Sequence, residues 1–280
     1  GKACGRKFQF DLGIFDEAHK TAGKADSLFA FPLSDKNIRI EKRFFLTATP
    51  RHVNIRKRDK EGEFEVASMD DPDVYGTLAH RLPFSEAAKK GIICDYKIVA
   101  SIVTQEDVTR ELLKQGEVKG KTDHVRAIQV AHQLALKNAI QKFKLTKLFT
   151  FHSSIRGAKS FVAEGDEGIG AHLKKLHTCH VNGSQSSAVR ESILSEFREI
   201  PRALVSNARC LTEGVDVPAV DCVAFIQPRR SKVDIVQAVG RAMRKAKGKT
   251  CGYLFVPLYV EQKRGESIEE AVERTGFDEV

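Results

Sequence analysis

The sequence predicts an α/β chain built on parallel sheets and divided into two domains. Apolar runs such as Phe8-Gln9-Phe10-Asp11-Leu12-Gly13-Ile14-Phe15 stop abruptly at polar clusters, here Asp16-Glu17-Ala18-His19. Continuous apolar runs suit strands buried on both faces, as parallel strands are. In the second half, short apolar runs alternate with helical periodicities, which is the order of βα units. Finally, 280 residues with 41% hydrophobic composition exceed a minimal scaffold and fit one large or two medium domains.

The elements follow in chain order. Arg43-Phe44-Phe45-Leu46 is a second strand, ending at Thr47-Ala48-Thr49-Pro50. In open α/β sheets ligands gather at the carboxyl ends of strands, so the two polar clusters point to one crevice. A basic stretch from Arg51 to Lys60 precedes Glu63-Phe64-Glu65-Val66, whose alternation suggests a short hairpin arm before the acidic turn Met69-Asp70-Asp71-Pro72-Asp73. Phe84 to Lys90 reads as a helix stopped at Gly91, and Tyr96 to Val103 as a strand. The polar segment Gln105 to Thr122 precedes a helix in which Ile128, Ala131, Leu134 and Ala135 share a face. Further strands are expected at 145–151, about 177–181, 203–206, 220–226 and 252–256, with helices near 156–163, 187–198 and 232–244. The stretch from Ile268 to Val280 has a helical pattern that stops before a natural end.

Composition narrows the function classes. The 46 Lys and Arg against 37 Asp and Glu leave a net charge of +9, which favours polyanionic partners, nucleic acid first. Apolar runs fall far short of a bilayer crossing. The six cysteines are scattered without a paired motif, so neither a disulfide framework nor a zinc site near Cys179 and His180 is expected. An intracellular, cytoplasmic chain is the expected setting. Aromatic residues are few (17 Phe, 4 Tyr, no Trp), so backbone tracking is favoured over stacking on bases.

Several clusters carry chemistry. Adjacent acids at a strand end can divide two tasks, Asp16 holding Mg²⁺ through water and Glu17 polarising an attacking water. Arg241 and Arg244 lie three apart in Gln237-Ala238-Val239-Gly240-Arg241-Ala242-Met243-Arg244 and would fork from one helix face toward a phosphate. Thr212-Glu213-Gly214-Val215-Asp216-Val217-Pro218 combines a hydroxyl, a permissive glycine and a carboxylate. His152, Ser153, and Asn182-Gly183-Ser184 end strands and could offer hydroxyls and N–H groups to phosphates. Ser184 or Ser186 could equally cap the helix carrying Arg190. Thr47 and Thr49 could simply cap their loop.

These clusters, in this order, resemble the superfamily 2 helicases and translocases. In that comparison Asp16 to His19 corresponds to motif II, Thr47 to Thr49 to motif III, Phe151-His152-Ser153 to motif IV, Leu204 to Pro218 to motif V and Gln237 to Arg244 to motif VI. The wording from Met69-Asp70-Asp71 through Phe84-Ser85-Glu86-Ala87 and Asp95-Tyr96-Lys97-Ile98 further resembles the type III and type ISP restriction branch.

The resemblance implies two RecA-like domains, ATP and Mg²⁺ as cofactors, and DNA more than RNA as partner. Nuclease or methyltransferase domains or subunits in the parent protein are also implied. It makes Asp16, Glu17 and His19 catalytic together with Gln237, Arg241 and Arg244, with Arg244 as the arginine finger and Gln237 sensing nucleotide. Gly214 and Asp216 would face the nucleotide. Thr47 and Thr49 would couple hydrolysis to movement, and His152, Ser153, Gly183, Ser206 and Thr212 would meet nucleic acid.

The phosphate-cradling loop that such an enzyme needs upstream of motif II has no match, since Gly1-Lys2 lies only fourteen residues before Asp16. The expected division is therefore residues 1–100 as the later part of the first RecA-like domain, 101–265 as the second, and 266–280 as the start of an extension. On this expectation the parent is an ATP-driven motor, while this stretch alone binds and hydrolyses ATP poorly. The alternative is a nucleic-acid-binding or interaction module without catalysis.

Overall fold

The computed structural model describes residues 8–24, 27–52, 66–114, 124–173, 175–208, 210, 220–227, 232–263 and 265–273. The chain forms two compact units, Gly1–Leu82 and Pro83–Val280.

In the first unit, β1 (Gln9–Phe15) pairs in parallel with β3 (Arg39–Phe45), with Phe15 opposite Phe45. Their rings stack with centroids 5.0 Å apart, and Tyr75 packs on Phe45 at 4.9 Å. Tyr75 closes α1 (Pro72–Tyr75), which starts where the Asp71 carboxylate accepts from the Asp73 N–H and a proline fills the first turn. Two short strands, β2 (Gly23–Lys24) and β4 (Val66–Ala67), pair antiparallel. The expected local hairpin lies largely outside the described residues, and Val66 pairs instead with the distant Lys24. Phe10, Leu12, Ile14 and Phe44 are exposed.

The second unit is a six-stranded, all-parallel sheet. Its strands are β5 (Asp95–Thr104), β6 (Lys147–Phe151), β7 (His177–Asn182), β8 (Ala203–Ala208), β9 (Cys222–Phe225) and β10 (Cys251–Val260). Their order is β5-β10-β9-β6-β8-β7. Alternation sends side chains to two cores. Leu148, Leu204, Cys222 and Ala224 join the cluster that includes Ala135, Leu136 and Ile140. Phe149, Phe151, Val205, Val223 and Phe225 join the cluster with Leu194, Phe197, Ala238 and Val239. Burying both faces explains why these strands read as unbroken apolar runs.

The first face is covered by α3 (Gln105–Lys114), α4 (His124–Phe143), α5 (Ile155–Phe161) and α6 (Ile169–His172). The second is covered by α7 (Ser187–Glu199) and α8 (Lys232–Ala242). The helix α2 (Phe84–Lys89) leads into the sheet, and α9 (Ile268–Glu273) packs on β10.

The expected boundary between residues 100 and 101 falls inside β5, all ten residues of which pair with β10, and the two compact units meet in the sequence at Leu82 and Pro83. One expectation is corrected. Residues 105–114, read as a polar connection, form α3, with Val108 in the core. Pro257 is tolerated in β10 because β9 pairs only with Tyr253 to Phe255, leaving that side free of a ladder partner at 257.

Candidate functional site

In the first unit the two polar clusters meet at the carboxyl ends of β1 and β3. The Asp16 carboxylate accepts the Glu17 N–H at 2.8 Å. Glu17 itself sits in the left-handed region, with φ 50° and ψ 43°, and starts a short 3-10 turn. The turn brings His19 back under the strand ends, where it is buried. Its Nδ1 lies 3.1 Å from Thr47 Oγ1 and 3.4 Å from Glu17 Oε2. Thr47 Oγ1 also accepts the Thr49 N–H at 3.2 Å, and Ala18 N–H donates to the Leu46 carbonyl at 2.9 Å. Asp16, Glu17, His19, Thr47 and Thr49 are thus brought together, with His19 as the joint. Asp16 is exposed and Glu17 partly so.

In the second unit the candidate residues lie at the carboxyl edge of the six-stranded sheet, but not all face outward. His152 is buried, with Nε2 2.9 Å from Thr150 Oγ1 and its ring against Phe161. Ser206 is wholly buried and donates to the Ala158 carbonyl at 2.8 Å. Both side chains, expected to meet nucleic acid, point toward the face of the sheet that α5 covers. Asn182, His180 and Ser206 form one chain of hydrogen bonds. Asn182 Oδ1 accepts from Ser184, so its amide donates to His180 Nε2, and His180 is neutral with the proton on Nδ1. Burial, aided by Lys159, lowers the His180 pKa in keeping with that state.

Ser153 and Gly183 remain exposed. Ser153 donates through both N–H and Oγ to the Gln227 side-chain oxygen, at 2.7 and 2.5 Å. Ser154 caps α5 and Ser186 caps α7, each accepting an N–H three residues on. Thr212, Gly214 and Asp216 lie outside the described residues.

Gln237 and Arg241 lie on α8, and Arg244 lies just beyond its end at Ala242. Arg241 is 7% exposed and Arg244 is exposed, and α8 stops two residues before 244.

Residues 131–246 match the family model described as helicase conserved C-terminal domain. The matched stretch is less than half of the chain. It takes in β6 to β9 and α8 but leaves out the paired strands β5 and β10. The chain is 29% identical to the ATP-dependent type ISP restriction-modification enzyme LlaBIII bound to DNA, with a TM-score of 0.71 over 95% of this chain and 19% of that one. A nuclease-deletion mutant of the type ISP enzyme LlaGI shares the fold, at 24% identity and a TM-score of 0.53, covering 98% of this chain and 17% of that one. A probable helicase of African swine fever virus is 28% identical over 257 residues, 90% of this chain and 26% of the relative. The chain spans about a quarter of the length of the curated relatives it matches first. These likenesses support a superfamily 2 helicase chain that resembles the type ISP branch, and the parallel-sheet α/β fold matches the RecA-like domains of such enzymes.

Within the matched stretch the residue that sequence reasoning missed is Gln227. It closes an apolar run, as Asp16 and His152 do, and that position is the signal by which it could have been found.

Proposed function

We propose that the chain is part of an ATP-dependent helicase or translocase of the restriction type, which hydrolyses ATP to move along nucleic acid, DNA rather than RNA. The observation that carries the reading is the His19 joint, which ties the acid pair after β1 to the threonine loop after β3. A hydrolytic centre linked by one buried side chain to a second loop has the wiring that coupling needs. The likeness to LlaBIII, an ATP-dependent enzyme bound to DNA, and the net charge of +9 support the same reading.

In this scheme Glu17 polarises the attacking water, and His19 passes the state of the acid pair to Thr47 and Thr49. Asp16 would hold Mg²⁺ through water. The exposed carboxylate fits an ion that keeps most of its waters and takes only one or two protein ligands. The ion, when bound, neutralises charge on the phosphates. Gln237, Arg241 and Arg244 contact the nucleotide, and Arg244 is the exposed arginine finger. Gly214 and Asp216 line the nucleotide, and Ser153, Gly183 and Thr212 meet the nucleic-acid backbone. The parent protein carries nuclease or methyltransferase functions. It works in the cytoplasm, a setting that suits the free thiols at Cys94, Cys179, Cys210, Cys222 and Cys251. Among the described residues no helix is long and apolar enough to cross a membrane.

The test is DNA-stimulated phosphate release by the full-length parent protein, with Glu17→Gln and the present 280-residue chain as controls. Turnover by the parent that the substitution abolishes and the short chain lacks is the expected result. A silent parent that binds DNA with steep salt dependence would replace the motor with a binding module. Strand-displacement assays on the same protein separate unwinding from movement along intact duplex.

A further inference from the structure

The end of α8, from which Arg241 and Arg244 extend, is gripped by residues from outside the helix. Lys249 donates to the carbonyl oxygen of Ala242, to that of Val220 at 2.7 Å and to that of Arg244 at 3.1 Å. All three ammonium protons are thereby used. The carbonyls of a last helical turn have no partner within the helix, so a cation there both satisfies them and suits the helix dipole. Cys94 N–H holds the intervening Met243 carbonyl at 3.0 Å. Gly252, in β10, leaves the room needed, since a Cβ there would overlap the Ala242 carbonyl. Three consecutive carbonyls, 242 to 244, are therefore fixed by groups at the amino ends of β5 and β10.

We infer that Lys249 is a positioning residue for Arg241 and Arg244. It pins the backbone on both sides of Met243, and so sets where the two guanidinium groups can reach. The inference rests on the proposed reading of these arginines as nucleotide contacts. Burial lowers the Lys249 pKa, while Cys94, Asp221 and Cys251 oppose the shift.

The test measures DNA-stimulated ATP hydrolysis by the full-length parent protein carrying Lys249→Met, Lys249→Arg, Arg244→Ala and the Lys249→Met/Arg244→Ala pair. Lys249→Met is expected to lower kcat about 10- to 100-fold, the scale of a small misplacement of catalytic groups. DNA affinity should stay within about twofold of wild type, and KM for ATP should change much less than kcat, because an arginine finger acts chiefly in the transition state. Added to Arg244→Ala, it should cost little more, since both changes remove one function. Should Lys249→Met not fold, Lys249→Arg carries the test: it keeps the charge but cannot place one compact ammonium among three carbonyls, and an intermediate kcat is expected. Wild-type kcat in either folded variant overturns the inference. So does a Lys249→Met loss that adds fully to Arg244→Ala and is matched by lost DNA affinity, which marks a purely structural cap. A wild-type parent without stimulated hydrolysis removes the motor reading and this inference with it, whereas an active wild type beside an unimpaired Lys249 variant removes the inference alone.

Discussion

Glu17 holds a left-handed backbone conformation that costs an L-residue roughly 1–2 kcal/mol. Replacing it with glycine removes the Cβ conflict. Glu17→Gly should therefore leave the first unit as stable as before or up to about 1 kcal/mol more stable, by urea midpoint, while hydrolysis by the parent is lost. His132 provides a second residue-level expectation. Burial pushes its imidazole down to about 4 from 6.5, so the folded chain excludes a proton that the unfolded chain accepts. Its contribution is complete above pH 6.5 and is lost as the pH falls toward 4, by roughly 3 kcal/mol at most. Thermal melts of a His132→Gln variant should show a flatter pH dependence over that window than wild type. An unchanged slope would mean another group is responsible. At this scale the acid pair and the threonines were legible in the sequence because they interrupt apolar runs. The inward turn of His152 and Ser206 was not. In strands covered on both faces, alternation does not say which side a polar residue takes or what it meets there.

Among elements, α8 and β10 show how glycine choice reads out packing. Gly252→Ala forces a methyl group against a backbone carbonyl and should destabilise the second unit by roughly 1–3 kcal/mol. Gly240, in α8, has open space where a Cβ would go, and Gly240→Ala should instead stabilise by about 0.5–1 kcal/mol through helix propensity. Chemical denaturation of the two variants side by side checks both signs. The strands and most helices of the second unit could be read from periodicity. The helix α3 could not, because its first turn is Gln105-Glu106-Asp107 and only Val108 among its described side chains reaches the core. Lys249 and Asp221 were equally silent in the sequence. Lys249 acts on carbonyls of other elements, and Asp221 accepts from Thr146 and the Lys147 N–H, so neither function leaves a local pattern.

For the molecule as a whole, the two units differ in how much core their described residues enclose. The second has a six-stranded sheet with helices on both faces, whereas the first has a parallel pair of strands whose Phe10, Leu12, Ile14 and Phe44 are exposed. A two-stranded sheet is marginal alone in water. Residues 83–280 expressed by themselves should melt cooperatively and resist limited proteolysis. Residues 1–82 by themselves should bind hydrophobic dyes and be cut quickly. Cooperative melting of both pieces would show that the first unit needs no further cover.

The pairing of β5 with β10 also has a consequence during synthesis. Asp95 waits for Cys251, so at translation speeds of about 5–20 residues per second roughly 156 residues, or about 8 to 30 seconds, separate the two strands as they leave the ribosome. Through that interval an apolar strand with Ile98 and Ile102 has no partner of its own, and Asp95 and Lys97 are the charges that guard it. The nascent chain is therefore most vulnerable to aggregation, and most in need of a chaperone, just before its sheet is complete.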